Sequence, residues 1–282
     1  MDHAATSGEM EFLRDFAMPL PTTVILDVFG LDHRDYARFS AVADVIIECY
    51  EAAGSGHFKD DLLERSDRQL GSCAEYVMTL AEQRHGGDGD DLLSELVRAQ
   101  AAAPERMTDV ELASMLMFIV TAGFETTMHS ACNMVYHLLR NPDQLELVRN
   151  DRSLVRGVVE ESLRYEPGVC ISSPRYATED MQIGGQHIRR GDKCLISNHA
   201  ANHDPAVFDQ PNRFDITRSP NRQMSFGRGR HTCLGAHLAR LELVLTLEAV
   251  LDRFPQLQLA TDDVEWIGSH VLRGPTALPL RW

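Results

Sequence analysis

The sequence lacks three features that would place it in large classes of proteins. It has 27 Lys and Arg against 42 Asp and Glu, a formal charge of −15; nucleic-acid binding needs clustered cations, so this balance argues against such a partner. The longest apolar run, Met115–Val120, is far too short to cross a bilayer. The N-terminal stretch MDHAATSGEMEF has neither the basic start nor the apolar core of a signal peptide.

Paired cysteines are also absent. The six cysteines are scattered along the chain with no CxxC pair, so neither a zinc module nor a disulfide framework is indicated. A reducing, cytoplasmic compartment fits this pattern best. The ordinary apolar content and the length of 282 residues predict a soluble globular protein with a substantial core, with no membrane partner.

The stretch that carries chemistry is Ser225 to Arg240, reading SFGRGRHTCLGAHLAR. Cys233 lies at the end of a loop containing Gly227 and Gly229, just before a long apolar-periodic segment that runs to Phe254. The unpaired amides and positive dipole end of a helix N-terminus favour a thiolate, which prepares this sulfur to be a ligand or a nucleophile. The glycines permit positive φ and a close approach to a flat partner, while Phe226 could cover one side of the sulfur.

The same region is a basic island on an acidic protein. From Arg218 to Arg240 there are five arginines and no Asp or Glu. The island could neutralise an anionic cofactor and receive an acidic electron-transfer protein. The alternative is an ordinary solvated face.

A central helix is predicted from about residue 108 to 140. Thr108 with Glu111 three residues later forms a capping box, and Met115–Val120 is apolar on all sides, which predicts burial. Within it, residues 122–127 read AGFETT; the glycine and the threonine hydroxyls predict an opening or kink of the helix. An acid and a hydroxyl there, Glu125 and Thr126, could pass protons inward, or could be only a local kink and a solvated acid.

These segments resemble the cytochrome P450 family. The loop from Phe226 to Gly235 matches F-G-x-G-x-H-x-C-x-G, and residues 122–127 match A-G-x-[DE]-T-[TS]. The resemblance implies haem b with Cys233 as the iron ligand, Phe226, Gly227 and Ala122 beside the cofactor, and Glu125 and Thr126 as the proton-delivering pair.

Two further motifs extend the resemblance. Glu161 and Arg164 match E-x-x-R, and Arg213 matches the arginine that completes a structural triad in the family. Residues 171–200 alternate with turns at 184–185 and 191–192, which predicts strands. By resemblance, Arg175 in the first strand and His231 in the loop bind the haem propionates, and Phe118, Thr121 and Ile171 line the substrate pocket beside Ala122.

The implied fold is mainly α with small β-sheets, one cytochrome P450 domain over residues 1–282, with the haem between the central helix and the loop at 225–235. The chain corresponds to the C-terminal two thirds of that fold. In the family a substantial segment precedes what aligns from Met10, and we expect this N-terminal part to be missing here.

The implied activity is a haem-thiolate monooxygenase that inserts one oxygen atom from O2 into a hydrophobic small molecule, with electrons from a ferredoxin and its reductase. A peroxide-using haem-thiolate enzyme and a non-catalytic haem-binding remnant remain as alternatives. The residues do not indicate the substrate.

Overall fold

The computed structural model describes residues 8–172 and 174–282; the polar N-terminal stretch 1–7 and Ser173 in the predicted strand region lie outside the described residues. The described helices are α1 Pro19–Val28, α2 Tyr36–Ser55, α3 Leu62–Arg84, α4 Leu92–Ala102, α5 Asp109–Arg140, α6 Pro142–Asn150, α7 Val155–Tyr165, α8 Asn198–Asn202 and α9 Ala236–Arg253. The described strands are β1 Glu9–Glu11, β2 Arg175–Tyr176, β3 Met181–Ile183, β4 Gln186–Ile188, β5 Lys193–Cys194, β6 Gln258–Leu259 and β7 Pro279–Arg281.

The 32-residue helix α5 is the central element, and its start follows from the capping box. The Thr108 hydroxyl accepts from the Glu111 amide, while the Glu111 carboxylate accepts from the Thr108 amide. Its first half packs with α1 to α4 in one apolar cluster, and its second half packs with α7 and α9 in another. One helix therefore joins both halves of the core.

The predicted opening of α5 at residues 122–127 is wrong, because the helix is uninterrupted there. The Thr126 hydroxyl donates to the Ala122 carbonyl at 2.9 Å and the Thr127 hydroxyl to Gly123 at 3.2 Å. Each hydroxyl donates to the backbone carbonyl four residues before it, and the helix continues past both threonines.

The predicted burial of Met115–Val120 on all sides is also wrong. Phe118 is 55% exposed, although Leu116 and Val120 are fully buried. Ser114, Phe118 and Ala122 are four residues apart and all exposed, so one face of α5 is open.

The first proline of the chain lies at the start of a helix. Pro19 is the first residue of α1, where its missing N–H costs no helical hydrogen bond. Prolines here start a helix instead of interrupting one.

The two ends of the described chain meet in a three-stranded antiparallel sheet of order β1-β7-β6. Met10 pairs with Leu280, and both side chains are buried. The other strands form the antiparallel pairs β2–β5 and β3–β4. The turns at Gly184–Gly185 and Gly191 have the positive φ that glycine allows.

By length and composition alone, α5 could cross a membrane, with a mean hydropathy of 1.3 over 18 residues. Core helices of soluble proteins pass the same test. Here α5 packs against α1, α2, α3, α7 and α9, as expected of a core helix.

Candidate functional site

A rigid loop presents Cys233 just before α9. Gly227 has φ 64° and Gly229 φ 79°, and the Cys233 amide donates to the Phe226 carbonyl at 2.9 Å. The Cys233 side chain is exposed. A Cβ at Gly229 would meet nothing within 4 Å, so the loop backbone at this glycine is uncovered. The loop thus leaves one accessible sulfur with open space around it.

Side chains from α7 and α8 fix the start of this loop. The Ser225 hydroxyl donates to the Leu163 carbonyl at 2.6 Å and accepts from the Asn202 amide at 2.9 Å. The Asn202 carbonyl oxygen accepts from the Met224 amide at 2.7 Å, and Asn202 is fully buried. The loop is therefore positioned by partly buried hydrogen bonds.

The Glu161 and Arg164 side chains form a two-pronged ion pair at 2.7 and 2.8 Å, with both side chains 0% exposed. Arg164 also donates to the carbonyls of Asn202 and Pro211. The pair thus ties α7 to the segment before the loop.

The third member of this cluster is Arg218, which corrects the assignment of Arg213. The Arg218 guanidinium lies 3.2 Å from Glu161, while the Arg213 side chain is exposed and only its carbonyl accepts from Arg164 and Arg218. The chain folds back at 209–218, and this reversal brings Arg218 inward. Arg213 and Arg218 stand five residues apart in the same loop, so the spacing could not separate them.

A second ion pair, which the sequence motifs do not indicate, joins α9 to α7 next to the loop. Arg240 on α9 binds Glu160 on α7, and its guanidinium carbon lies 4.4 Å from the centre of the Phe226 ring. Gln223 donates to the same glutamate at 3.0 Å. Phe226 is thereby held between the guanidinium and the apolar core. Two of the five arginines of the basic island are thus neutralised by α7.

Glu125 and Thr126 are half-buried neighbours on α5. Burial raises the pKa of Glu125 to about 7, and the negative charge of Asp44 on α2 adds to the shift. Gly168 packs directly against the Thr126 carbonyl, where a Cβ would come within 2.7 Å. The connection from α7 to β2 therefore lies against α5 at the acid–hydroxyl pair.

The four residues expected at the pocket differ in accessibility. Phe118 and Ala122 are exposed on the open face of α5, and Ile171 is half-buried in a bridge to Ser197. Thr121 is only 6% exposed, and its hydroxyl donates to Met117 at 2.8 Å. Thr121 thus faces the core more than the open face.

Arg175 and His231, the two cations expected to bind the haem propionates, are both exposed. Arg175 begins β2, and His231 ends the short turn Gly229–His231 within the loop. The Cys233 thiol and both cations are thus exposed.

A family model described as cytochrome P450 matches residues 74–270. The chain belongs to the cytochrome P450 family. It is 36% identical to cytochrome P450 monooxygenase PikC of Streptomyces venezuelae over 99% of this chain and 65% of that protein. It is 37% identical to 6-deoxyerythronolide B hydroxylase of Saccharopolyspora erythraea over 100% of this chain and 68% of that protein. The chain spans about two thirds of the length of the curated relatives it matches.

Solved cytochrome P450 structures have the same mainly helical fold with small sheets. P450BioI in complex with a hexadec-9Z-enoic acid-ligated acyl carrier protein matches with a TM-score of 0.91 and 33% identity, covering 100% of this chain and 70% of that one. Myxobacterial CYP267B1 in complex with myristic acid matches with a TM-score of 0.90 and 35% identity, covering 99% and 68%. The expected fold is therefore confirmed.

Proposed function

We propose that this chain acts as a haem-thiolate monooxygenase that inserts one oxygen atom from O2 into a hydrophobic small molecule. The observation that supports it most is the exposed thiol of Cys233, held just before α9 by a loop that the Cys233–Phe226 backbone hydrogen bond closes. Membership of the cytochrome P450 family supports the role of this thiol as the iron ligand.

The residues present fit a haem b. Cys233 would hold the iron, and Arg175 and His231 would pair with the propionates. Phe226 and Gly227 would contact the cofactor, and the Arg240 guanidinium steadies the Phe226 ring. The open, apolar face of α5 at Phe118 and Ala122 suits the other side of a flat macrocycle.

The bound haem would supply oxygen activation, and a thiolate ligand favours O–O cleavage. The chain's own part is to hold and move protons. With a pKa of about 7, the Glu125 carboxyl exchanges its proton near neutral pH, which suits general acid–base work. The Thr126 hydroxyl now donates to Ala122, and rotation about its χ1 would turn that proton toward the open face.

The residues expected at the pocket support a hydrophobic substrate. Phe118, Ala122 and Ile171 offer hydrocarbon and few polar groups, while Thr121 has its hydroxyl engaged by the helix. A relative is named as a hydroxylase of 6-deoxyerythronolide B, and a solved relative holds myristic acid. A hydrophobic substrate is consistent with both.

Electrons would come from a ferredoxin and its reductase in the cytoplasm. Arg222, Arg228 and Arg230 are exposed beside the loop on a chain of net charge −15. Because Arg218 and Arg240 are paired with glutamates, these three carry the available positive charge. The cysteines of the described residues are free thiols, in keeping with a reducing compartment.

Thiolate ligation is tested by haem loading. The purified protein, loaded with haem and reduced under carbon monoxide, should show a strongly red-shifted Soret band. Cys233→Ser should lose that band, whereas Cys194→Ser, a half-buried thiol on β5, should keep it. A band that survives Cys233→Ser would show that another residue binds iron. Absence of haem uptake by the unaltered chain would overturn the proposed activity.

Proton delivery is tested in the loaded protein with a ferredoxin system. Thr126→Ala should raise the oxygen consumed per product formed, because the hydroxyl that passes the proton is gone. Thr127→Ala removes a buried hydroxyl one position along the same helix and is the matched control. Unchanged coupling in Thr126→Ala would remove that residue from the proton path. Turnover with peroxide alone would favour the peroxide-using enzyme.

A further inference from the structure

A second groove lies away from the thiol loop, between the end of α5, α6 and the turn that leads into β6. Its volume is about 560 Å³, within the range of about 300 to 1,000 Å³ typical of small-molecule sites. None of the residues assigned above to haem, protons or substrate lines it. The groove therefore needs its own explanation.

The lining of the groove is polar at the rim and apolar beneath. Leu145 and Leu257 are less than 10% exposed, and Leu139 and Leu259 pack against the same core cluster. Pro255 adds a hydrocarbon ring at the rim without a backbone donor. An aliphatic chain would find its contacts on the partly buried Leu139 and Leu259 and on the exposed Pro255.

Two arginines stand over this floor, and only one of them is neutralised. Arg140 pairs with Asp262 at 2.8 Å. In the part of the chain that the structure describes, Arg149 has no carboxylate within ion-pair distance, and its buried Nε lacks a hydrogen-bond partner. A buried donor without an acceptor costs free energy, and guanidinium groups stay charged. Arg149 is thus a charged fork that lacks an acceptor in a protein with many spare carboxylates.

We propose that this groove binds an amphiphilic monoanion, a carboxylate on an aliphatic chain, with the carboxylate on Arg149 and the chain along the leucine floor. A planar carboxylate accepts two parallel hydrogen bonds from a guanidinium, and the two terminal nitrogens of the half-buried Arg149 would donate them. One unpaired cation matches one negative charge, and a phosphate would bring more charge and no tail for the apolar floor. The site is independent of Cys233 and of the proposed oxygenation.

The test is calorimetric titration of the intact chain with octanoate, octanol and inorganic phosphate. Octanoate should bind more tightly than the other two, because only it supplies both the charge and the tail. Arg149→Met should raise the octanoate Kd by about tenfold or more, since a charge-assisted double hydrogen bond is lost. Arg152→Met, which removes the exposed partner of Asp252 next to α6, is the matched control and should change the Kd little.

A second variant keeps the test decisive if Arg149→Met unfolds. Gln258→Glu places a negative charge on an exposed position of the groove wall and should weaken octanoate while leaving octanol unchanged. Octanoate binding equal to wild type in folded Arg149→Met would place the ligand elsewhere and overturn the proposal. Octanol binding as tightly as octanoate, or phosphate binding more tightly, would do the same.

Discussion

Burial on α5 gives the Glu125 carboxyl a pKa of about 7, against 4.5 for the same group in an exposed setting. The folded chain therefore holds this proton more tightly than the unfolded chain. Its contribution to stability is complete below about pH 4.5 and is lost as the pH rises through about 7.

Glu125→Gln should remove this pH dependence. Below pH 4.5 the variant and the wild type should be equally stable, and at about pH 8 the variant should be more stable by up to about 3 kcal/mol. Urea unfolding at several pH values measures the difference. Glu75→Gln changes an exposed acid on α3 and should leave the profile unchanged. Equal stability of Glu125→Gln and wild type at pH 8 would mean that Glu125 is solvated.

Arg218 and Arg213 offer a direct comparison between structure and sequence. Arg218 lies against Glu161 and donates to the Asp209 and Arg213 carbonyls, and its side chain is 11% exposed. Arg218→Met should lower the free energy of unfolding by about 2 kcal/mol, because buried acceptors lose a charged donor. Arg213→Met removes an exposed side chain and should cost less than about 0.5 kcal/mol.

The measurement is urea unfolding of both variants at neutral pH. A larger loss in Arg213→Met than in Arg218→Met would restore the assignment that the sequence motif favours. It would also mean that the segment 209–218 folds differently from the structure.

The backbone of α7 packs tightly against the segment that precedes the loop. A Cβ added at Gly157 would overlap the carbonyl oxygen of Ile216. Helix propensity alone favours alanine over glycine by about 1 kcal/mol. Here the overlap with the carbonyl outweighs the gain in helix propensity. The Ile216 carbonyl lies in the chain reversal at 209–218, so it cannot move aside without disturbing the position of Arg218.

Gly157→Ala should therefore destabilise the chain, while Gly71→Ala should stabilise it. Gly71 lies inside α3 with nothing within 4 Å of an added Cβ, so only the propensity gain of about 1 kcal/mol acts. Thermal unfolding of the two variants gives opposite shifts if α7 packs as described. A rise in Tm for Gly157→Ala would contradict this contact.

Local sequence signals predicted the elements that depend on neighbours along the chain. Thr108 and Glu111 start α5, and Gly227 and Gly229 have the predicted positive φ. Contacts between distant segments could not be predicted from the sequence. Nothing in the residue spacing shows that the chain reverses at 209–218 and turns Arg218 inward. The sequence predicts burial for an apolar residue such as Phe118 in either of two cases: when it packs against another helix and when it lines an open site.

The whole molecule combines strong negative charge with an exposed apolar stripe beside the thiol loop. Leu241 and Leu245, four apart on α9, are 53% and 52% exposed, and Leu234 just before α9 is 81% exposed. Contiguous apolar surface favours association, while a net charge of −15 opposes it. Added salt favours association, because it screens the repulsion between negatively charged chains and leaves the apolar contacts intact.

The chain should therefore self-associate as salt is added, and a double variant should resist. Sedimentation velocity of the wild type should show a rising average mass above 31.6 kDa between low and high salt. Leu241→Lys with Leu245→Lys should stay monomeric, because two charges interrupt the stripe. Leu63→Lys with Val110→Lys is the matched control: these residues are 69% and 66% exposed on separate helices, so their removal should leave association unchanged. Equal association of both double variants would place the contact away from α9.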